Sequence, residues 1–135
     1  MQELLYYQLR QNGLNIQYPQ FTTLMILSKN EGLTQTEIAD IEDKDKAAVS
    51  RNISLLEKAG YVKREADGGK KKRLFLTDKG KELIPLFYRI ATKNKETVMG
   101  GFSEDEKEAM MTSLERMFLN VSRAIEGIKQ IDEIK

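Results

Sequence analysis

The sequence contains neither cysteine nor histidine. The first absence excludes disulfides, thiol nucleophiles and cysteine-based redox sensing. The second removes the usual general base and most zinc sites. No metal site and no cofactor is expected. Long apolar runs are missing too. The longest charge-free stretch, Gln11 to Ser28, holds Asn, Gln, Gly and Pro and is no membrane span. The opening MQELLYY has neither the basic segment nor the apolar core of a signal peptide. A cytoplasmic protein with no membrane partner is expected.

What is present suits one small domain, or one domain with a dimerisation arm: 135 residues, 40% apolar and 32% charged. A monomer of this size buries only about two-thirds of its unfolded surface, so burial in a second subunit would add stability. Net charge is +1, but its distribution is uneven. Lys44 to Arg73 holds ten basic and four acidic residues, whereas the remainder holds 12 basic and 17 acidic. A basic middle between acidic ends suits a polyanion-binding surface on an otherwise repelling body. A solvated charged face is the simpler alternative on charge alone.

Helix signals recur along the chain. Residues 2 to 12 predict a helix with Leu4, Leu5 and Leu9 near one face, ended by Gly13. A second helix is predicted from Pro19 to Asn30, with Phe21, Leu24 and Leu27 or Ser28 along one stripe. T-Q-T-E, Thr34 to Glu37, is a capping box that opens a short third helix burying Ile38, Ala39 and Ile41. Asp45 caps a fourth helix that runs to Ala59 and stops at Gly60. Val49, Ile53 and Leu56 form its apolar stripe. The opposite face carries Lys46, Ala47, Ser50, Arg51 and Ser54, which are small, polar or basic.

Beyond Gly60 the texture changes. Tyr61 to Arg64 and Leu74 to Leu76 are β-like runs around A-D-G-G-K-K-K-R, where Asp67-Gly68-Gly69 signals a turn. This predicts a hairpin with a cationic tip. Thr77 caps a long fifth helix, Asp78 to about Met99, in which Pro85 predicts a kink or a shifted boundary. Ser103 to Glu106 is a second capping box. The helix after it carries Met110, Leu114, Met117, Val121, Ile125 and Ile128 at steps of three and four, widened by Met111 and Phe118.

Short capped helices followed by a basic hairpin describe a winged helix-turn-helix. A helix whose exposed side chains are short or hydrogen-bonding can enter the major groove, and a glycine-flexed wing can follow the neighbouring minor groove. A helical bundle with an incidental hairpin is the plainer alternative. Box, helix face, hairpin and charge together favour the wing. No pair of carboxylates is placed for acid–base work, and Gly68-Gly69 lacks the strand–helix setting of a phosphate loop, so an enzyme is not expected. The methionines are core filling at helical spacing.

The chain resembles the MarR family of bacterial transcription regulators. The resemblance is carried by G-L-N-I-Q-Y-P-Q-F (Gly13 to Phe21), L-T-Q-T-E-I-A (Leu33 to Ala39) and K-D-K-A-A-V-S-R (Lys44 to Arg51). It continues in L-E-K-A-G-Y-V-K-R (Leu56 to Arg64), L-T-D-K-G (Leu76 to Gly80) and F-S-E-D-E (Phe102 to Glu106). The order and spacing span nearly the whole chain. The resemblance implies a mainly α fold with a small β-hairpin, as a single domain over residues 1–135. Within it, residues 19–99 are expected to be the winged lobe and connecting helix, with dimerisation helices in 1–18 and 100–135. It implies a homodimer on a palindromic operator in double-stranded DNA, commonly a repressor, often relieved by a small ligand. The wing departs from the family pattern. Counted back from Leu76-Thr77, the family's arginine position holds Lys70 and its acid position holds Gly68, with Asp67 one residue early. The family's Asp–Arg wing anchor is therefore not matched position for position, while phosphate contact by the wing is still expected. The first helix is short beside the family's arm, which would reduce that half of the interface.

The candidate DNA-binding set is Thr34, Gln35, Thr36, Lys44, Lys46, Ala47, Ala48, Ser50, Arg51, Ser54, Arg64, Lys70, Lys71, Lys72 and Arg73. Leu4, Leu5, Leu9, Val121, Ile125 and Ile128 are candidates for dimerisation. Tyr6, Tyr7, Arg10 and Phe21 are candidates for the pocket of a small organic effector, dimer core being the alternative. Two function classes remain at this point. One is a sequence-specific regulator that binds double-stranded DNA. The other is a winged-helix adaptor or antirepressor without DNA reading.

Overall fold

The computed structural model describes residues 1–134. The chain divides into two units, Met1–Lys95 and Glu96–Lys135. The elements run α1 (Gln2–Gln11), α2 (Tyr18–Lys29), β1 (Leu33–Thr34), α3 (Gln35–Glu42), α4 (Lys46–Lys58), β2 (Val62–Ala66), β3 (Lys72–Leu76), α5 (Asp78–Val98) and α6 (Glu104–Ile134). The fold is mostly helical with one small antiparallel sheet, ordered β1-β3-β2.

Helix starts follow the capping chemistry. The Thr34 hydroxyl accepts from the Glu37 amide at 3.2 Å, and the Glu37 carboxylate accepts from the Thr34 amide at 2.8 Å. Asp45 Oδ1 accepts from the amides of Ala47 and Ala48 at 2.8 and 3.0 Å, which starts α4. Ser103 and Glu106 make the same reciprocal pair ahead of α6. Pro85 neither shifts nor ends α5, which runs through it. Pro85 lies on the exposed side of the helix, so water can serve the carbonyl that its missing N–H leaves free.

The core belongs to the first unit. Val49, Ile53 and Leu56 of α4 are buried with Leu24 and Leu27 of α2, Ile38 and Ala39 of α3, Leu74 and Leu76 of β3, and Phe87 of α5. Ile41 was expected inside but is exposed, because it sits in the last turn of α3, beyond the reach of the core. Leu5 and Leu9, candidates for a subunit interface, are buried in this same core, Leu9 completely. Their apolar surface is therefore already covered within one chain. In the second unit no described residue of α6 is buried. Its stripe residues Leu114, Met117, Val121, Ile125 and Ile128 are 47–62% exposed.

The wing hangs from the end of α4. Gly60 takes the left-handed conformation (φ 83°) that ends the helix. The Thr77 amide then donates to the Tyr61 carbonyl at 3.0 Å, and the Thr77 hydroxyl donates to the Gly60 carbonyl. The same hydroxyl accepts from the Gly80 amide at 3.1 Å, starting α5. Lys79 Nζ donates to the Ala59 carbonyl at 2.8 Å, satisfying an open carbonyl at the end of α4. A Cβ at Gly80 would strike the Tyr61 carbonyl oxygen, so only glycine allows α5 this close to the α4–β2 turn. Gly80→Ala should destabilise the fold by about 1–3 kcal/mol, the usual cost of overpacking. Urea unfolding measures this, and an unchanged midpoint would contradict the close approach of these two segments.

Candidate nucleic-acid interface

The register of α4 is set by what it buries. With Val49, Ile53 and Leu56 inside, a period of 3.6 residues turns Lys46, Ala47, Arg51 and Ser54 outward, and all four are exposed. Ala48 and Ser50 lie at the margin, half-buried, and Lys44 precedes the helix, exposed. Lys44, Lys46 and Arg51 form no ion pair among the described residues. This face therefore presents cations and short side chains without a competing carboxylate, Asp45 being engaged with its own helix.

The sheet brings the wing beside the start of α3. β1 pairs with β3 at Leu33↔Leu74 and Thr34↔Arg73, and β2 pairs with β3 from Val62↔Leu76 to Ala66↔Lys72. The result is a cleft of about 430 Å³ lined by Thr34, Gln35, Thr36, Arg64, Lys70, Lys71 and Lys72. Candidate residues from two separate motifs thus converge on one concavity with no acidic residue in its lining.

The cations of this region divide into two kinds. Arg64 Nε donates to Glu57 Oε1 at 2.7 Å, and its Nη1 donates to Gln35 Oε1 at 3.4 Å, both partly buried. Arg73 Nε donates to Asp67 Oδ2 at 3.2 Å and its Nη1 donates to the Gly32 carbonyl at 2.9 Å. The family positions of the Asp–Arg anchor hold Gly68 and Lys70, yet Asp67 and Arg73, at other positions, make such a pair. Glu65 is the residue directly opposite Arg73, and Asp67, two residues further on and just past β2, meets Arg73 diagonally across the hairpin. Lys70, Lys71 and Lys72 are exposed and carry no ion pair among the described residues. The arginines hold the frame, and the lysines remain open to an anion.

Sequence reasoning missed Glu57, the Gly32 carbonyl and strand β1. Two residues of strand show no periodicity, and Glu57 meets Arg64 only once the α4–β2 turn sets their register. Tyr6 and Arg10 satisfy each other, with Arg10 Nη1 donating to the Tyr6 hydroxyl at 2.9 Å and the guanidinium 5.7 Å from the ring centre. That hydrogen bond holds the Tyr6 phenol below its ordinary pKa, against an opposing desolvation effect. Tyr7 is exposed and meets Tyr6 edge-on at 5.5 Å. Phe21 instead packs on Phe87 at 4.9 Å and on Tyr18 at 6.2 Å. Among the described residues no helix is long and apolar enough to cross a membrane.

A short capped helix, a turn, an outward-facing second helix and a basic hairpin define a winged helix-turn-helix protein. Comparison with known proteins makes this specific. Residues 13–73 match the model of the MarR family. The chain is 31% identical over 119 residues to YybA, an uncharacterized HTH-type transcriptional regulator of Bacillus subtilis (strain 168), across 87% of this chain and 79% of that one. The crystal structure of a MarR transcriptional regulator from Methanosarcina mazei Go1 is 33% identical with a TM-score of 0.75, over 90% of this chain and 82% of that one. A SlyA-like transcription regulator from Listeria monocytogenes is 27% identical with a TM-score of 0.73, over 96% and 86%. The chain belongs to the MarR family of transcriptional regulators.

Lysine cannot reproduce the two-armed contact of Arg73. Arg73→Lys should therefore speed hydrogen exchange at the amides of the wing and of Thr34. Global stability should fall by no more than about 1 kcal/mol, because the Asp67 pair is partly exposed. Unchanged wing exchange would contradict the anchor.

Proposed function

We propose that the protein is a sequence-specific regulator that binds double-stranded DNA as a homodimer on a palindromic operator, most simply as a repressor. The observation that supports this best is the division of cations. Among the described residues, Lys46 and Arg51 on α4, and Lys70 to Lys72 on the wing, make no ion pair, while neighbouring arginines are bonded to acceptors within the lobe.

In this reading α4 enters the major groove. Arg51 donates two hydrogen bonds to a guanine edge, and Ser50 and Ser54 donate or accept at base edges. Lys46 at the N-terminal end of the same face, and Lys44 just before the helix, take phosphates. Ala47 and Ala48 keep the entry narrow. Gln35 and Thr36 at the start of α3 place the side-chain amide, hydroxyl and first-turn backbone N–H groups against the sugar–phosphate backbone, and Thr34, buried as the cap of α3, positions them. The lysines of the wing add charge that draws phosphate without reading bases. Arg64 and Arg73 orient these groups.

The uncovered stripe of α6 supports the dimer. A row of apolar side chains this long would remain in water unless a second copy covered it. Leu4, at the edge of the buried α1 face, is half-buried and can join such an interface, whereas Leu5 and Leu9 have no surface left to offer. A twofold dimer presents two reading helices, so half-sites should be inverted and about 10 bp apart. Release by a small organic effector near Tyr6, Tyr7, Arg10 and Phe21 completes the proposal. With no cysteine, mild peroxide should not act as a signal through thiol chemistry. Sedimentation at micromolar concentration should show a dimer, and a stable monomer would remove the two-half-site model.

Arg51→Ala should weaken operator binding by about 1–3 kcal/mol and narrow the gap between operator and scrambled DNA. Replacing Lys70, Lys71 and Lys72 together by Ala should weaken both DNAs alike. It should also flatten the slope of log K against log salt by about 0.9 for each phosphate no longer neutralised. Titrations of both variants at several salt concentrations test the division. Diminished discrimination at an unchanged salt slope in the triple variant would show that the wing reads bases.

A further inference from the structure

The turn between α3 and α4 is closed locally, by the Asp43 N–H on the Asp40 carbonyl at 3.3 Å, the Lys44 N–H on the Ala39 carbonyl at 3.1 Å and the Asp45 cap, but it buries few side chains. Ile41, Asp43, Lys44, Asp45, Lys46 and Ala47 are all exposed, and only Glu42 among residues 41–47 is partly buried. Asp43 takes a left-handed conformation (φ 49°, ψ 47°) that a non-glycine residue seldom adopts. The next buried apolar anchor along the chain is Val49, one turn into α4. Among the side chains of residues 41–47, Glu42 is the partly buried one, and it is bonded to another helix.

Glu42 points back to α2. Its Oε1 accepts from the Thr22 hydroxyl at 2.9 Å and from the Thr23 hydroxyl at 3.0 Å. Both hydroxyls also lie within reach of the Pro19 carbonyl, at 2.9 and 3.0 Å. Each hydroxyl has one proton, so two protons are divided between a carbonyl and a carboxylate, and the charged acceptor draws the stronger bond. Thr23 is fully buried. The second carboxylate oxygen, Oε2, is buried and has no partner among the described residues. A buried acceptor without a donor costs stability. A leucine here could join the core at no such cost, so the carboxylate is poorly explained by stability alone.

We infer that Glu42 is a positioning residue for DNA reading. It ties the last turn of α3 to two adjacent hydroxyls of α2 and so sets the angle at which Lys46, Ala47, Ser50 and Arg51 are presented. This rests on the reading of α4 as the groove-entering helix. Thr22 and Thr23 are the second half of the tie. None of the three needs to touch DNA.

The test uses the full-length protein and a duplex selected by the wild type from a random-sequence pool, with a scrambled duplex beside it. Glu42→Ala removes both hydroxyl bonds and should lower affinity for the selected duplex about tenfold while leaving the scrambled duplex unchanged. Glu42→Gln keeps an acceptor for the hydroxyls and should restore most of the discrimination. Amides of residues 43–48 should exchange faster in Glu42→Ala, with α2 and the sheet unaffected. Leu83→Ala, which lowers stability from α5, should leave discrimination intact. The proposal is overturned if folded Glu42→Ala keeps wild-type discrimination and wild-type protection of the turn. It is overturned as well if Leu83→Ala loses discrimination equally at matched stability. Should Glu42→Ala fail to fold, Thr22→Val removes one donor at similar volume and carries the same measurements. A wild type that selects no sequence would count against the DNA reading itself, and the exchange data would still decide the tether.

Discussion

One constraint organises the lobe. Helix α4 buries a single stripe, Val49, Ile53 and Leu56, and its period leaves no freedom over what faces outward. The face proposed to read DNA is the complement of the core face. A substitution in the core stripe therefore threatens the orientation of Arg51 as well as stability. The two ends of α4 are fixed separately, by Asp45 at the start and by Gly60 with Lys79 at the finish. Between them the helix can neither fray nor rotate without exposing its stripe.

The wing depends on the same helix. Its first strand begins where α4 ends, and Gly80 lets α5 close over that corner. Glu57 reaches from α4 to Arg64 on β2, and Arg73 reaches from β3 to the turn before β1. The planar arginine fork suits these shared contacts, because it can bind two acceptors at once. Among the described residues Lys70, Lys71 and Lys72 have no such partners. Frame and ligand-facing charge are thus assigned to different residue types, which is why a mutation at Arg73 and one at Lys71 should have different signatures.

Much of this was legible in the sequence because the signals are local. Thr34 with Glu37, Asp45 with the two amides after it, and Ser103 with Glu106 each act within four residues, so composition and spacing suffice to place the helix starts. The outward face of α4 follows from its inward one. What was not legible depends on groups far apart in sequence. The Asp67–Arg73 pair and the Glu57–Arg64 pair need the register of the hairpin, and β1 exists only because Leu74 lies opposite Leu33. Periodicity marked Leu5 and Leu9 as apolar but could not say whether their cover was this chain's core or a second subunit. The same limit applies to Ile41, which satisfies the helical pattern of α3 yet points past the core. Pro85 signalled a kink or a shifted boundary from its missing donor alone, and the boundary is not shifted. Only its exposed position shows why the helix continues.

The central claim is that the outward face of α4 reads base edges in the major groove, and methylation interference tests it most directly. Methyl groups on guanine N7 occupy the major-groove position where Arg51 would donate. Methylation at guanines in two inverted half-sites, about 10 bp apart, should block binding by the wild type, and the block at one guanine per half-site should disappear in Arg51→Ala. Interference confined to adenine N3 in the minor groove, with guanine N7 methylation tolerated throughout, would contradict the claim.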